Sequence, residues 1–335
     1  MKKLWMLGLA LGVTLGVGRD SAAQDAPPAP APRTLSIATL APPGSTWMRV
    51  FDAWNRELRR RSNNTLQFRF YPGGVQGDES EVIRKIRNGR LDGAAVTAIG
   101  LAQVHRPALV FQLPGILHTY DQLDHARDAL AADMDTGFEA GGFKLLGWAD
   151  VGQSRLFSTV PIAAPSEIAR HKPWLWRDDL IMPAFFRAVH ANPVPLQLPE
   201  VLGALQTNRI DCLFSTPVAA VALQWSSRIA YVTDLPLSIV LGGTVISKRT
   251  WDSLTDEQRT ILKETGVQYH ALARRNLRRD ETAAMQALTQ RNIRLVPVNA
   301  QQRAQWLSVA QQVRQGLAGQ VADQALINRV ATFGR

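Results

Sequence analysis

Two stretches of this chain, 119 residues apart, share one helix-then-strand pattern. The first begins at Glu81 and the second at Glu200, and each leads through Arg-apolar-Asp into an apolar strand. Gly89 and Asn208 stand at the two helix ends, and Gly and Asn are the residues that best tolerate the left-handed conformation common there. The repeat predicts two α/β lobes, each with a helix feeding a central strand. Chance similarity of one amphipathic unit is the alternative.

The segment that begins near Arg33 alternates strands with helices. The predicted elements are a strand over Thr34–Leu40, a helix capped by Ser45, a strand over Leu66–Tyr71, a helix over Asp78–Asn88 and a strand over Leu91–Thr97. This β-α-β-α-β order predicts a doubly wound lobe with a parallel sheet. Ligands of such sheets bind beyond the carboxyl ends of the strands. Thr97, and in the second repeat Ser215 and Thr216, are therefore expected to face a cleft between the lobes.

The last third of the chain is helical in pattern. A helix is predicted over Trp251–Asn292, with Gly266 as a point where it could bend. About 35 helical residues span about 50 Å, which is longer than one lobe, so this helix is expected to brace both. A strand over Ile293–Val298 and a helix over Gln301–Leu317 are predicted to follow.

The first 23 residues have the pattern of a secretory signal peptide. Lys2 and Lys3 precede an apolar run over Leu4–Val17, and small residues predict cleavage after Ala23. That run is shorter than the about 20 residues that a membrane anchor needs. We therefore expect an exported protein.

The rest of the chain is divided by composition and pattern. Residues 24–32 are rich in Pro and Ala and are expected to form a linker. Residues 33–150 are assigned mainly to lobe I and 151–235 mainly to lobe II. Residues 236–335 are expected to hold a returning strand, the inter-lobe helix and C-terminal helices shared by both lobes.

Sequence motifs for catalysis are lacking. The chain contains no G-x-S-x-G, P-loop, H-E-x-x-H or dinucleotide-binding G-x-G-x-x-G motif. Its single cysteine, Cys212, excludes an intramolecular disulfide and stands in an apolar stretch typical of a buried core residue. A candidate metal patch, His118, Asp121, Asp124 and His125, is better explained as a solvated helix face. We expect no enzyme, no cofactor and no metal.

The net charge of +10 raises the question of nucleic-acid binding. The basic clusters at Arg59–Arg61 and Arg274–Arg279 have no interleaved aromatic residues. Solvated basic faces are therefore favoured, and no nucleic-acid partner is expected.

Tryptophans offer a more specific signal. Trp174 and Trp176 alternate in the loop-like stretch HKPWLWRDD, and Trp225 follows Gln224. In an extended segment two residues so spaced point to one side. A ligand wall and simple core packing are both compatible with this pattern.

These segments together resemble one family. The chain carries LSIATLAPPGSTW, YPGGVQGDESEVIRKIRNGRLDGAAV, FQLPGIL, PVPLQLPEVLGALQTNRIDCLFSTP, ALQWSSRIAYVTDLP and GGTVISKRTWDSLTDEQ, in this order. From Leu35 to about Asn292 it resembles the DctP-like solute-binding proteins of tripartite ATP-independent periplasmic (TRAP) transporters. The resemblance implies two α/β lobes, a hinged cleft and a long helix that spans both lobes.

The sequence departs from the family at the ligand. Where typical members carry Lys-Ile-Arg, with an arginine that binds a substrate carboxylate, this chain has Lys172-Pro173-Trp174. Arg177, three residues later, is a candidate substitute, and Arg155 in GQSRLFS matches a second family arginine. Ser215 and Thr216 replace an acidic-asparagine pair. The chain thus resembles a W-x-W branch that lacks the usual carboxylate clamp.

The resemblance implies a solute-binding subunit that delivers one small organic ligand to TRAP membrane permease subunits. A periplasmic tetratricopeptide-repeat partner and a sensory role at a receptor stay open. We expect a ligand with substantial apolar surface and at most one anionic group, bound mainly by Arg155. The expected ligand-binding residues are Trp47, Thr97, Arg155, Trp174, Trp176, Arg177, Ser215, Thr216, Gln224 and Trp225.

Overall fold

Strands and helices alternate through residues 32–334, the part of the chain that this computed structural model describes. The predicted signal peptide and all but the last residue of the predicted linker lie outside the described residues. The strands are β1 (Arg33–Thr39), β2 (Leu66–Tyr71), β3 (Gly93–Thr97), β4 (Phe143–Ser158), β5 (Trp174–Trp176), β6 (Val194–Leu196), β7 (Cys212–Ser215), β8 (Tyr231–Thr233), β9 (Ser238–Ser247) and β10 (Arg294–Val296).

The α-helices are α1 (Thr46–Arg61), α2 (Glu79–Arg87), α3 (Ala98–Ala102), α4 (Tyr120–Ala129), α5 (Ala131–Ala140), α6 (Met182–Ala188), α7 (Val201–Gln206), α8 (Pro217–Ala222), α9 (Lys248–Asp252), α10 (Asp256–Gln290), α11 (Ala300–Leu317) and α12 (Gln324–Phe333). Short 3-10 turns lie at Arg106–Gln112, Pro165–Arg170, Leu198–Glu200 and Trp225–Ser227.

The strands form a sheet in the order β10-β8-β4-β9-β3-β1-β2, and β7 also pairs with β4. Strands β2, β1 and β3 are parallel, as the β-α-β-α-β order predicts. The predicted parallel sheet is interrupted beyond these three strands, because β9 runs antiparallel between β3 and β4. Strand β9 begins beside the carboxyl end of β4 and ends beside its amino end, so the two strands are antiparallel.

The two lobes are joined through β4 and β9. These strands pair from Phe143 opposite Ser247 to Ser154 opposite Ser238. The first lobe holds β1 to β3 with the start of β4, and the second holds β5 to β8 and β10 with the end of β4. The architecture is the two-lobed α/β fold that the sequence predicts.

Local sequence signals explain where α1 and α2 begin. The Ser45 hydroxyl accepts a hydrogen bond from Met48 N (3.4 Å), and the Asp78 carboxylate accepts one from Glu79 N (2.8 Å). Such caps satisfy amide groups that the first turn of a helix leaves free. Helix α1 then buries Phe51, Trp54 and Leu58 on one face.

The long helix α10 has 35 residues and extends from one lobe to the other. Ile261 and Leu262 join the first-lobe core that contains Trp54. Leu288 joins the second-lobe core that contains Trp225. At 1.5 Å per residue α10 is about 50 Å long, so it braces both lobes as expected.

The start of α10 differs from the prediction. Helix α9 ends at Asp252, and α10 begins only after Thr255, which forms a capping box with Gln258. The predicted start at Trp251 is wrong, because the Thr-x-x-Gln capping box begins a new helix at this point. At Gly266 a Cβ atom would lie 2.7 Å from the Leu146 carbonyl oxygen, so the glycine permits close packing of α10 on β4.

Within residues 32–334 no helix combines the length and the apolar character needed to cross a membrane.

Candidate functional site

A cavity of about 130 Å³ lies between the lobes. Thr97 and Ile99 of the first lobe form one side of it. Trp176, Phe214 and Thr216 of the second lobe form the other. A second cavity of about 100 Å³ adjoins it and shares Thr97 and other wall residues with it. A small molecule held here contacts both lobes.

The carboxyl ends of two central strands deliver hydroxyl groups to the cavity wall. Thr97 is the last residue of β3 and caps α3, accepting from Ile99 N at 3.2 Å. Thr216 follows β7 and caps α8, accepting from Ala219 N at 3.2 Å. Ser215 precedes it and also lines the cavity. The two halves of the sequence repeat thus meet at one cavity.

Three tryptophans form one side of the cavity. The rings of Trp174 and Trp176 stack with centroids 5.7 Å apart, and Trp225 meets Trp174 edge-on at 5.4 Å. Trp174 and Trp225 are also core residues, only 7% and 3% exposed. The stretch expected to be loop-like is the short strand β5, paired with β6, and this explains why the alternating rings share one side.

Hydrogen bonds cross the cleft between the lobes. The Asp78 carboxylate, at the start of α2, accepts from Trp176 Nε1 (2.9 Å) and from Leu198 N (3.3 Å) of the second lobe. Ser80 donates to the Asp178 carboxylate at 2.6 Å. Burial raises the pKa of Asp78, which is 1% exposed. The start of α2 therefore holds the second lobe against the first.

Glu79, the next residue, supports the first-lobe side of the site. Its carboxylate accepts from Thr97 N (2.7 Å), Thr97 Oγ1 (2.8 Å) and Gly100 N (2.7 Å), and it lines the second cavity. Burial raises its pKa to about 7, against the lowering effect of these donors. Glu79 fixes the turn that presents Thr97 to the ligand.

Asp179 is a cavity residue that the sequence prediction missed. Its Oδ1 atom accepts from Ile181 N (2.7 Å) and Met182 N (3.0 Å), so it holds the turn before α6. Burial raises its pKa. Asp179 lines the cavity next to Trp176. The local sequence indicates only that an aspartate stands shortly before a helix, which does not distinguish a cavity residue from an ordinary turn residue.

Arg155 does not line either cavity. Its guanidinium pairs with Asp234 at 3.0 Å, while the preceding residue, Ser154, does line the cavity. Ser215, which lies opposite Arg155 on β7, also lines the cavity. Arg155 therefore lies beside the cavity wall with its guanidinium held by Asp234, and its role as the main anchor stays a prediction.

Two other expected site residues lie outside the cavity walls. Arg177 is exposed and faces Glu200 at 3.7 Å. Gln224 is exposed and has a left-handed backbone (φ +61°) at the turn before Trp225. The other expected residues do line a cavity. They are Thr97, Trp174, Trp176, Ser215, Thr216 and Trp225, with Trp47 on the wall of the second cavity.

A buried ion network lies beside the second cavity. Arg278 of α10 donates to Asp150 (2.7 Å) and Asp124 (2.7 Å), and Arg127 donates to Asp150 (2.8 Å). Burial alone raises the pKa of Asp124, but hydrogen bonds from Arg278 and Arg127 hold it at about 2. Because these arginines are bound to aspartates, they are not available to a ligand carboxylate.

The chain matches known solute-binding proteins. Residues 37–320 match the family described as bacterial extracellular solute-binding protein, family 7. The 2,3-diketo-L-gulonate-binding periplasmic protein YiaO of Escherichia coli is 22% identical over 258 residues, which are 72% of this chain and 74% of that protein.

Solved structures share the fold. A TRAP periplasmic solute-binding protein from Shewanella oneidensis with bound succinate has a TM-score of 0.85 at 18% identity, covering 91% of this chain and 100% of that one. One from Sulfitobacter sp. with bound β-D-galacturonate has a TM-score of 0.82 at 18% identity, covering 90% and 99%. The sequence match and the two-lobed fold agree, and this chain belongs to family 7 of the bacterial extracellular solute-binding proteins.

Proposed function

We propose that this protein is the periplasmic solute-binding subunit of a TRAP-type transporter. It holds one small organic molecule between its lobes and delivers it to the membrane permease. The family supports the binding role, and relatives whose names include TRAP support the transporter class. The proposed lobe limits are residues 33–150 and 151–235, with the remainder shared.

The observation that carries the proposal is a cavity closed by bonds between the lobes. Trp176 both lines the cavity and donates to Asp78 of the opposite lobe. Opening the cleft breaks this bond and exposes the cavity, whereas closing it removes the ligand from water. A ligand that contacts both lobes stabilises the closed state, and the permease reads that state.

The ligand in this proposal is largely apolar. Relatives hold succinate and galacturonate, both of which are carboxylates. Here the walls present Trp176, Phe214 and Val240 with a few neutral hydroxyls. A dicarboxylate buried among these groups lacks cationic partners, which costs several kcal/mol per ion, so small dicarboxylates and sugar acids are disfavoured.

Binding occurs without chemical change in this proposal, and the partners are the membrane subunits of the transporter. The names of the relatives mention no tetratricopeptide-repeat partner, and our proposal does not include one.

Native mass spectrometry of protein purified without refolding tests the proposal. We expect one bound small molecule per chain, and its mass defines the ligand. After partial unfolding removes it, adding it back should reduce the radius of gyration measured by small-angle X-ray scattering. Recovery of a chemically altered molecule would contradict the proposal, as would protein with neither a bound mass nor compaction.

A further inference from the structure

The cavity contains a carboxylate with one unused oxygen. Asp179 lines the wall, and its Oδ1 atom is occupied by Ile181 N and Met182 N. Its Oδ2 atom has no hydrogen-bond partner within residues 32–334. Every fully buried side-chain oxygen in those residues does have a partner, so Oδ2 is not fully buried. Solvent or a ligand therefore reaches Oδ2. A carboxylate oxygen only accepts hydrogen bonds, so the matching ligand group is a donor.

The side-chain charges on the described cavity walls are unfavourable for a ligand anion. Among the residues that the structure describes, neither cavity is lined by Lys, Arg or His, whereas Asp179, Glu79 and Asp150 are wall residues. Arg155 and Arg177 are paired with Asp234 and Glu200 outside the walls. Asp150 is already paired with Arg127 and Arg278, whereas Asp179 has no cationic partner among the described residues, so a cationic ligand group would meet an uncompensated opposite charge at Asp179.

The aromatic side of the cavity also suits a cation. Trp174, Trp176 and Trp225 line the wall next to Asp179. Within the described part of the chain, arginine or lysine side chains make cation–π contacts with Phe143, Trp251, Tyr120 and Tyr231. None of these contacts involves the three cavity tryptophans. Tryptophan is the aromatic side chain that binds cations best through its ring face.

We infer that the solute is an organic ammonium ion, whose nitrogen donates to Asp179 and whose apolar part packs against Trp176 and Phe214. The inference rests on the proposed function and specifies its ligand class. It differs from the acids found in the relatives, because the groups that bind acids are not on these walls. The protein's net charge of +10 does not oppose it, since surface charge acts on the approach of a solute and the wall acts on its binding.

Three probes of similar size test the inference by tryptophan fluorescence titration. They are 2-phenylethylammonium, neutral 2-phenylethanol and anionic phenylacetate. We expect the wild-type protein to bind the ammonium at least tenfold more tightly than phenylacetate, with the alcohol between them. The size of this affinity difference follows from the greater strength of hydrogen bonds between charged groups.

Asp179→Asn is the matched variant. The asparagine side-chain oxygen can still accept from Ile181 N and Met182 N, so the turn before α6 is retained. We expect D179N to lose at least tenfold in affinity for the ammonium and to change less than threefold for the alcohol. Asp133→Asn is the control, because it removes the same charge at an exposed position on α5 outside the cavity.

Trp176→Phe gives a second readout that does not depend on Asp179. This variant should weaken binding of the ammonium probe more than binding of the alcohol, since phenylalanine is a poorer cation–π partner than tryptophan. Tighter binding of phenylacetate than of the ammonium, or equal ammonium affinity in D179N and wild type, would overturn the inference while leaving solute binding intact. Failure of the proposed function is distinguishable, because then native mass spectrometry finds no bound solute of any charge.

Discussion

Gly89 and Asn208, 119 residues apart, both adopt the left-handed backbone conformation, with φ of +75° and +54°. Gly89 follows α2 and Asn208 follows α7, and each precedes the central strand of its lobe. The same local turn therefore directs both strands toward the cavity.

Replacing Asn208 by Ala should destabilise the protein by about 1 kcal/mol, because a left-handed alanine lacks the polar side chain that makes this conformation tolerable for asparagine. Urea denaturation at 25 °C measures the change. Asn208→Gly is the matched control and should be at least as stable as the wild type. If alanine and glycine behave alike, the turn does not depend on its left-handed residue.

Asp78→Asn should shift the protein toward an open state. Asparagine still caps α2, but one of its two side-chain positions becomes a donor and can no longer accept from Trp176 Nε1. Hydrogen bonds to charged groups contribute about 1.5–3 kcal/mol, so occupancy by the co-purified solute should fall about tenfold or more.

Scattering and native mass spectrometry measure this shift together. Glu200→Gln is the control, because it removes a charge that faces Arg177 within the second lobe. An unchanged radius of gyration and unchanged occupancy in D78N would show that this bond does not hold the lobes closed.

Arg155→Met should change solute affinity less than twofold, because the Arg155 guanidinium is paired with Asp234 and Arg155 does not line either cavity. The check is solute occupancy in native mass spectrometry, beside Asp234→Asn, which frees the arginine. A loss of tenfold or more in R155M would restore Arg155 to the binding site that the sequence predicts for it.

His270 should make stability depend on pH. It is 2% exposed, with Nδ1 at 2.7 Å from Gly266 O and Nε2 at 2.9 Å from Thr244 Oγ1, and burial lowers its pKa to about 4. Between about pH 6.5 and 4 the unfolded chain binds this proton and the folded one does not. The contribution of His270 is therefore complete above pH 6.5 and is lost as pH falls through 4.

His270→Gln cannot titrate and isolates this effect. The stability advantage of the wild type over H270Q should shrink by roughly 3 kcal/mol between pH 7 and pH 4, from the 1.36 kcal/mol that each pKa unit represents. Urea midpoints of both proteins across this range measure it. A difference that stays constant with pH would mean that His270 titrates alike in both states.

The fold was predictable where its signals are local. Alternating strand patterns, caps such as Ser45, and the repeat around Gly89 and Asn208 lie within short windows of sequence. The antiparallel place of β9 was not predictable, because nothing near Ser238–Ser247 encodes which strand lies beside it. Pairing partners are set by packing across long sequence separations.

The site divides in the same way. The positions of Thr97 and Thr216 on the cavity wall were predictable because each stands at the carboxyl end of a central strand. Arg155 illustrates the limit, because its guanidinium pairs with Asp234, 79 residues away in sequence, and no local pattern encodes that contact. Asp78 and Trp176 are 98 residues apart, and only the folded lobes bring them together.

Helix α10 limits how the lobes can move apart. It is fixed to the first lobe through Ile261 and to the second through Leu288, and its Arg278 is bonded to Asp150 on β4 between them. These contacts restrain the edge of the molecule along α10, so we expect the cleft to open at the opposite edge. We expect an unloaded protein restricted in this way to sample few arrangements and to lose little conformational entropy when it closes on a solute.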